Sequence, residues 1–405
     1  MDGVYDAALR ADDELSSVTE APPEVSIVMP CLNEADTLEI CIRKAQEGLR
    51  AGHLRGEIIV ADNGSTDGSQ EIALRCGARV VPVEARGYGN ALMGGIAAAR
   101  GRYVIMGDAD DSYDFREVPK FVNRLREGYE LVQGCRLPSG GGQVLPGAMP
   151  PLHRWLGNPL FSAMAQRMFH APIHDIYCGL RGFTKDLYER LDLRCTGMEF
   201  ATEMVIKASL YRETIAEVPI TLHPDGRTTH PPHLRTWRDG WRTLRFFLMY
   251  SPRWLFLVPG LLLVLIGLIG YAIAMPGLSL AGVTFDAHTL LFASLAMLMG
   301  YEAMLFSIFT KRFAISEGLL PADPRFTRFL SVAYLERGVL LGAAGWLIGF
   351  GLLVGAIWQW WQADFGKLDY AVTMRWVIPG MTLSAIGFQT ILASFFLGVL
   401  GLARR

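Results

Sequence analysis

Four long apolar runs after residue 253 constrain the fold of this 405-residue chain more than any other feature. Each holds about 20 residues or more, enough for an α-helix to cross a hydrocarbon core of about 30 Å. So many apolar runs leave little polar surface for a soluble fold. We therefore predict a transmembrane domain over residues 254–405, with four spans at about 254–275, 289–309, 339–358 and 376–402.

The loops between these runs differ in charge, and the difference predicts their orientation. Lys and Arg are concentrated before the first span, between the second and third spans, and at the C-terminus, whereas residues 276–288 contain neither. Because basic loops stay inside, both termini and the N-terminal half are predicted to be cytoplasmic, at the plasma membrane of a prokaryote. Residues 231–253 mix Arg with Trp, Phe and Leu, which predicts an amphipathic helix on the inner leaflet.

Composition narrows the class of the N-terminal half. Residues 1–23 are acidic and lack the apolar segment of a signal peptide, so we expect a disordered tail and no export. The six cysteines form no C-x-x-C pair, which is typical of a reducing cytosol. A net charge of -2 argues against a nucleic-acid-binding protein, which would have a basic surface.

Between residues 24 and 230, short β-rich runs alternate with helical patterns. Strands are predicted at 25–29, 57–61, 79–83 and 103–106, with helices at 35–48, 67–76 and 90–99. This alternation predicts an α/β domain with a parallel sheet and helices on both faces. Ligands bind such sheets beyond the carboxyl ends of the strands.

Polar clusters follow three of these strands, at 30–34, 62–67 and 107–112. Asp108 and Asp110 stand one residue apart, and carboxylates at this spacing suit Mg²⁺ or Mn²⁺ holding a diphosphate, although each cluster alone is also typical of a polar turn. The glycines at 87–90 leave two interpretations open, a phosphate loop or the start of a helix. No G-x-G-x-x-G or P-loop pattern supports dinucleotide or P-loop binding.

Together, VSIVMPCLNE at 25–34, VADNGSTD at 60–67 and DAD at 108–110 resemble glycosyltransferase family 2. With C-terminal spans, the arrangement is similar to the polyprenyl-phosphate glycosyltransferases of the dolichyl-phosphate mannose synthase group. The resemblance implies a GT-A (Rossmann-like) fold, a nucleotide-sugar donor, a divalent metal (Mg²⁺ or Mn²⁺) and inversion at the anomeric carbon. It assigns the base and ribose to Pro30, Asn33, Glu34 and Asp62, and the diphosphate and metal to Asp108 and Asp110.

This chain departs from the pattern of the group at the predicted metal site. The group has a glutamine two residues after the second aspartate, whereas this chain has Ser112. Asp111, Asp114 or a water molecule would then have to complete the metal shell.

Further downstream, three arginines are assigned to the acceptor phosphate. QGCR at 133–136 and LHR at 152–154 resemble the arginine-containing segments of the group, and forked cationic donors suit a phosphate; solubilising surface arginines are the alternative. Arg227 follows an E-V-P-I strand as in the group, although residues 228–233 depart from its pattern. The three are Arg136, Arg154 and Arg227.

Two carboxylates are assigned to the sugar. Asp175 begins a D-x-x-C-G-x-R-x-F stretch that resembles the family, where it either orients a sugar hydroxyl or braces its loop. Glu199 lies on a helix predicted at 197–211; it either orients the donor or, if the acceptor is a hydroxyl, serves as the base.

The predicted function is transfer of a hexose from UDP-glucose or GDP-mannose to undecaprenyl or dolichyl phosphate, with Asp110, Arg136 and Arg154 as catalytic residues. Membrane lipids and a homo-oligomeric partner are also expected. One alternative is transfer to another lipid hydroxyl, and another is a non-catalytic lipid-binding or flipping module. A processive polysaccharide synthase should carry Q-x-x-R-W, which this chain lacks.

Overall fold

The computed structural model describes residues 22–228, 236–280, 282–332 and 335–402. Two compact units divide the chain, the first ending at Thr243 and the second beginning at Leu244. Most of the predicted acidic tail, residues 1–21, lies outside the described residues, as do residues 229–235 of the segment around the predicted interfacial helix.

The strands of the first unit are β1 (Val25–Cys31), β2 (Gly56–Asp62), β3 (Arg79–Pro82), β4 (Tyr103–Met106), β5 (Leu131–Cys135), β6 (Gln143–Val144), β7 (Arg181–Thr184), β8 (Ile215–Pro219) and β9 (Thr221–Leu222). A seven-stranded sheet in the order β3-β2-β1-β4-β7-β5-β8 forms the centre of the unit. Strands β1 to β4 pair in parallel, as predicted, whereas β7 runs antiparallel to both β4 and β5. Strands β6 and β9 pair separately.

Helices connect and follow these strands, and the last of them runs across the boundary between the two units. They are α1 (Leu38–Ala51), α2 (Ser69–Arg75), α3 (Tyr88–Ala98), α4 (Val118–Arg126), α5 (Asn158–Phe169), α6 (Lys185–Leu191), α7 (Glu199–Tyr211) and α8 (Thr236–Met249). Helix α1 buries Leu38, Ile42 and Ala45, one turn apart. Gly95 lets α3 lie close to β1, because a Cβ there would stand 2.6 Å from Val28. The result is the GT-A-like α/β domain that the resemblance implied.

Among its described residues, the second unit contains four helices that are long and apolar enough to cross a membrane, which confirms the predicted four spans. They comprise α9 (Val258–Ala274) with a preceding π turn (Arg253–Leu257), α10 (Ala287–Ser316), α12 (Leu335–Gln362) and α13 (Tyr370–Leu400). A short helix α11 (Pro324–Val332) and a hairpin of β10 (Ser279–Leu280) and β11 (Val283–Thr284) connect them. Glycines allow close backbone approach, as between Gly342 on α12 and Gly387 on α13.

Candidate active site

The carboxyl ends of β1 and β2 form one wall of the candidate site. Asn33, at a φ of 61°, donates its N–H to Ser65 Oγ at 2.9 Å and accepts the Thr66 N–H at 2.8 Å through Oδ1. Asp62 is buried, and its carboxylate accepts the N–H of Gly64 at 3.1 Å and Nε2 of Gln70 at 2.7 Å. Asn33 therefore joins the loops that follow β1 and β2, and Asp62 braces the loop that follows its own strand. Pro30 is half-buried near the end of β1.

Asn63 is a residue of this wall that the sequence did not single out. Its Nδ2 donates to the carbonyls of Val83 at 2.9 Å and Ala85 at 2.8 Å, and its Oδ1 accepts the N–H of Gly87 at 2.8 Å. It thus joins the loops that follow β2 and β3. The available signal was its position directly after Asp62, which does not reveal its partners.

The glycine segment at 87–90 is the start of a helix. Its N–H groups at Gly89 and Asn90 both donate to the Thr196 carbonyl, at 3.0 and 3.3 Å. Gly87 has a φ of 135°, and a Cβ there would stand 2.5 Å from the same Thr196 oxygen. Because these N–H groups already have protein acceptors, the geometry favours the helix start over the phosphate loop.

Asp108 and Asp110 lie beyond β4, each with a hydroxyl donor. Tyr88 Oη donates to Asp108 at 2.8 Å, and Ser112 Oγ donates to Asp110 at 2.6 Å. Ser112, which stands where the group has glutamine, therefore braces Asp110. Of the spare ligands, Asp111 accepts from Lys44 Nζ at 2.7 Å and Asp114 is paired with Arg116.

The donor set at Asp108 and Asp110 fits a divalent cation. Within the described ranges no group of three or more His, Cys, Asp or Glu side chains could hold a metal. Mg²⁺ is commonly held by one or two carboxylates together with substrate phosphates, so two carboxylates suffice. Burial and the charge of Asp110 raise the pKa of Asp108 to about 6, against the opposing hydrogen bond from Tyr88. A cation would relieve this repulsion.

We expect Asp108→Asn to raise the apparent Tm of the metal-free protein. The pKa of Asp108 is raised above its ordinary 3.8, so protonated Asp108 contributes to the stability of the fold. This contribution is fully present below pH 3.8 and is lost as pH rises through about 6. Asparagine stays neutral, so the gain in Tm should grow between pH 4 and pH 7. Fluorescence-detected size-exclusion after heating measures it, with exposed Asp186→Asn as control. A gain that shrinks over this range would contradict the electrostatic account.

Arg227 joins the first and third polar clusters. Its guanidinium donates to Glu34 Oε1 at 3.1 Å, to Asp110 Oδ2 at 3.3 Å and to Asp225 Oδ2 at 2.5 Å, and its side chain is only 8% exposed. Burial lowers the pKa of Arg227, but the surrounding carboxylates more than offset this and raise it above its usual range. Arg227, predicted to meet the acceptor phosphate, therefore lies among three carboxylates beside the candidate metal site.

Arg136 and Asp175 form a buried ion pair. Asp175 is fully buried; it accepts Nε of Arg136 at 2.7 Å, Nη2 at 2.8 Å and the backbone N–H at 3.0 Å. Nη1 of Arg136 faces the Tyr113 hydroxyl at 3.4 Å. The surrounding loop is held by Gln133, which donates to the Asp175 carbonyl, and by Glu217, which accepts its N–H. Of the two open interpretations of Asp175, this geometry favours bracing.

Arg154 and Glu199 are not members of these ion pairs. Arg154 lies in a π turn (His153–Gly157) before α5, and its Nε is buried with no hydrogen-bond partner among the described residues. Glu199 begins α7, and Arg242 Nε approaches it to 3.8 Å. Glu203, one turn later, is fully buried; it pairs with Lys207 at 3.1 Å and accepts the N–H of Cys195 at 2.8 Å.

Comparison with known proteins agrees with this architecture. The glycosyl transferase family 2 model matches residues 26–192, and the model of the family's C-terminal transmembrane region matches residues 308–401. Together with the four apolar helices, the second match indicates a membrane protein.

Two relatives come from Haloferax volcanii. The low-salt glycan biosynthesis hexosyltransferase is 38% identical over 96% of this chain and 91% of its own length. The dolichyl-phosphate hexose transferase is 31% identical over 49% of this chain and 82% of its own length.

Among solved structures, glucosyl-3-phosphoglycerate synthase from Mycobacterium tuberculosis, crystallised with Mn²⁺ and UDP, is 25% identical and aligns over 56% of this chain and 78% of that one. Its TM-score against this chain is 0.43. The full-length relative and the two family matches carry the assignment. The chain belongs to glycosyltransferase family 2 and is a hexosyltransferase related to the dolichyl-phosphate hexose transferases.

Proposed function

We propose that this hexosyltransferase transfers its sugar to a polyprenyl phosphate, with inversion at the anomeric carbon. Arg154 carries the proposal, because its Nε is buried without a hydrogen-bond partner within the described part of the chain, while its guanidinium lies over the Trp155 ring. A buried charged donor without an acceptor is costly, and a phosphate oxygen would satisfy it. The dolichyl-phosphate relative in Haloferax volcanii supports the same acceptor class.

The donor is a nucleotide-sugar bound at the strand ends. Pro30, Asn33, Glu34 and Asp62 would line the base and ribose, and Asp108 and Asp110 would hold Mg²⁺ or Mn²⁺ with the diphosphate. When bound, the cation supplies charge neutralisation to the departing nucleoside diphosphate. Arg227 holds Asp110 and Glu34 in place through its hydrogen bonds to both.

The acceptor phosphate approaches from the side of the arginines. Arg154 and the Nη1 group of Arg136 would orient it, and one of its oxygens forms the bond to the anomeric carbon as the bond to the diphosphate oxygen breaks. Because that oxygen is already anionic, no proton has to be removed and no general base is needed. The two carboxylates of α7 agree with a reaction that needs no general base, because Glu203 is paired with Lys207 and Glu199 faces Arg242.

The reaction is proposed to occur at the cytosolic face of the membrane. Support comes from the basic residues, which are concentrated on one side of the spans, with none between residues 276 and 288 and only Lys367 and Arg375 before the last span. Both termini would then be cytoplasmic.

An assay of the purified chain tests the acceptor. Radiolabelled UDP-glucose and GDP-mannose would each be offered with undecaprenyl phosphate, dolichyl phosphate or diacylglycerol. A labelled lipid that is released by mild acid is the expected product, since glycosyl phosphates are acid-labile. An acid-stable product formed with diacylglycerol would instead establish the glycolipid alternative.

Arg154→Gln is expected to raise the KM for polyprenyl phosphate by about tenfold or more, because a hydrogen bond to a charged group is lost. The KM for the nucleotide-sugar should stay within about twofold, since the donor residues lie elsewhere. Arg167→Gln, on the exposed face of α5, serves as the matched control. Equal KM values for Arg154→Gln and the control would place the acceptor phosphate elsewhere.

A further inference from the structure

Tyr88 is the first residue of α3, and the backbone on both sides of it is anchored. The N–H of Gly87 donates to Asn63 Oδ1 at 2.8 Å, and the N–H of Gly89 donates to the Thr196 carbonyl at 3.0 Å. The two neighbours of Tyr88 are therefore tied to separate loops of the first unit. Because these anchors fix the backbone, they also fix the direction in which the tyrosine side chain leaves it.

The Asp108 carboxylate is confined from two sides. Tyr88 Oη donates to its Oδ1 at 2.8 Å, and its Oδ2 lies against the backbone of Gly179, where a Cβ would stand only 2.6 Å from that oxygen. Gly179 is held in turn by its N–H, which donates to the Tyr113 hydroxyl at 2.8 Å. A carboxylate has about four lone-pair directions, so one hydrogen bond leaves others open to a cation. The contacts therefore restrict the rotation of Asp108 and leave it able to bind a metal.

The charge of its donor distinguishes Asp108 from two neighbouring carboxylates. Asp111 and Asp114 are paired with a lysine and an arginine at 2.7 and 2.9 Å, so a protein cation already compensates each of them. The hydroxyl of Tyr88 is neutral, so it orients Asp108 and adds no positive charge. The negative charge that attracts a divalent cation is therefore kept. Partners that hydrogen-bond to metal ligands in this way typically change metal affinity about 10–100-fold when they are removed.

We propose that Tyr88 is a positioning residue for the metal, and that its hydroxyl holds Asp108 in the orientation that binds Mg²⁺ or Mn²⁺ together with the donor diphosphate. A phenylalanine ring would fill almost the same volume, so the hydroxyl serves Asp108 rather than packing. In this role Tyr88 acts through Asp108 and does not bind the cation. The role rests on the proposed function, in which Asp108 and Asp110 hold the metal.

Mn²⁺ binding by the full chain in detergent tests this role, because free and bound Mn²⁺ differ in their electron paramagnetic resonance signal. Titrations with UDP present would compare the unmodified chain with Tyr88→Phe and with Tyr129→Phe, the matched control at a half-buried tyrosine before β5. We expect Tyr88→Phe to raise the Kd for Mn²⁺ about tenfold or more, and the control to leave it unchanged. Tyr88→4-aminophenylalanine restores a donor at the same point of the ring and should recover most of the affinity.

Nucleotide binding without metal separates action through Asp108 from direct contact with the donor. The Kd for UDP in the presence of EDTA, measured by isothermal titration calorimetry, should be the same for Tyr88→Phe and the unmodified chain. Sugar transfer by Tyr88→Phe should approach the unmodified rate as Mn²⁺ is raised, because the substitution weakens metal binding and leaves the reacting groups in place.

Three results would overturn the role of Tyr88 and leave the metal site intact. An unchanged Kd for Mn²⁺ in Tyr88→Phe would show that Asp108 needs no hydroxyl donor. Weaker UDP binding by Tyr88→Phe in EDTA would show that Tyr88 meets the nucleotide directly. A lack of recovery with 4-aminophenylalanine would show that the loss did not come from the missing donor. If the unmodified chain itself binds no Mn²⁺, the proposed metal site fails and the role of Tyr88 fails with it.

Discussion

Asp110→Ala is expected to reduce sugar transfer at least about a hundredfold, the largest loss of activity that we expect of any single substitution. The carboxylate has two functions in the proposed site. It would bind the cation with Asp108, and it accepts Arg227 Nη2 at 3.3 Å, which also donates to Asp225. Without the Asp110 carboxylate, Arg227 would lie beside a metal site that has lost one of its two carboxylates. Initial rates of sugar-lipid formation with added Mn²⁺ at saturating donor provide the measurement.

Asp111→Asn is the matched control, one residue along the same loop. The Asp111 carboxylate accepts from Lys44 Nζ at 2.7 Å, and both side chains are about one fifth exposed. Asparagine can still accept from Lys44 through its Oδ1, so the rate of transfer should stay near that of the unmodified enzyme. Full activity of Asp110→Ala with Mn²⁺ would refute the metal assignment, whereas equal losses in both variants would indicate that Asp111 also belongs to the metal shell or that the loop is damaged.

The features that the sequence predicted well are those with local signals. A span is recognised because about 20 consecutive apolar residues suffice, whatever they later contact. The first four strands are recognised in the same way, since each is a short, mainly apolar run, and parallel strands buried on both faces are typically continuous apolar runs. Strand β1 is such a run, with Val25, Ile27 and Met29 fully buried. The positions of Asp62, Asp108 and Asp110 at the carboxyl ends follow directly from these strands.

The antiparallel strand β7 was not predicted, because Arg181–Thr184 has no apolar run. Its first residue, Arg181, is fully buried and donates to the carbonyls of Cys178 and Ala201. A buried arginine with backbone acceptors has no signature in a short sequence window. The mixed sheet is therefore a result of tertiary packing, which local patterns do not contain.

The pairings between charged residues could not be predicted from the sequence either. Arg227 and Glu34 are 193 residues apart, and Arg136 and Asp175 are 39 apart. A charged residue in a loop has the same local pattern whether water or a distant carboxylate compensates it. The sequence therefore assigned Arg136, Arg227 and Asp175 to substrate one by one. Their ion pairs became visible only with the fold.

Asp175→Asn is expected to be the most destabilising single substitution in the candidate site, by about 3 kcal/mol or more. Asp175 is fully buried, and Arg136 is only 7% exposed. The neutral amide would leave the buried guanidinium without its counter-charge, and the bidentate pair at 2.7 and 2.8 Å would be lost. The apparent Tm of the full chain in detergent measures the effect.

Two companion variants separate this explanation from a general effect of mutation. Asp192→Asn changes the exposed pair of Asp192 and Arg194, which lies on the surface and should contribute almost nothing to stability. Combining Asp175→Leu with Arg136→Met removes both buried charges, and well-packed apolar replacements of an ion pair are often neutral or stabilising. The double variant should therefore recover much of the lost Tm, while transfer stays impaired because Arg136 no longer orients the phosphate. A double variant less stable than Asp175→Asn would show that the loop depends on the hydrogen bonds of the pair rather than on its charge balance.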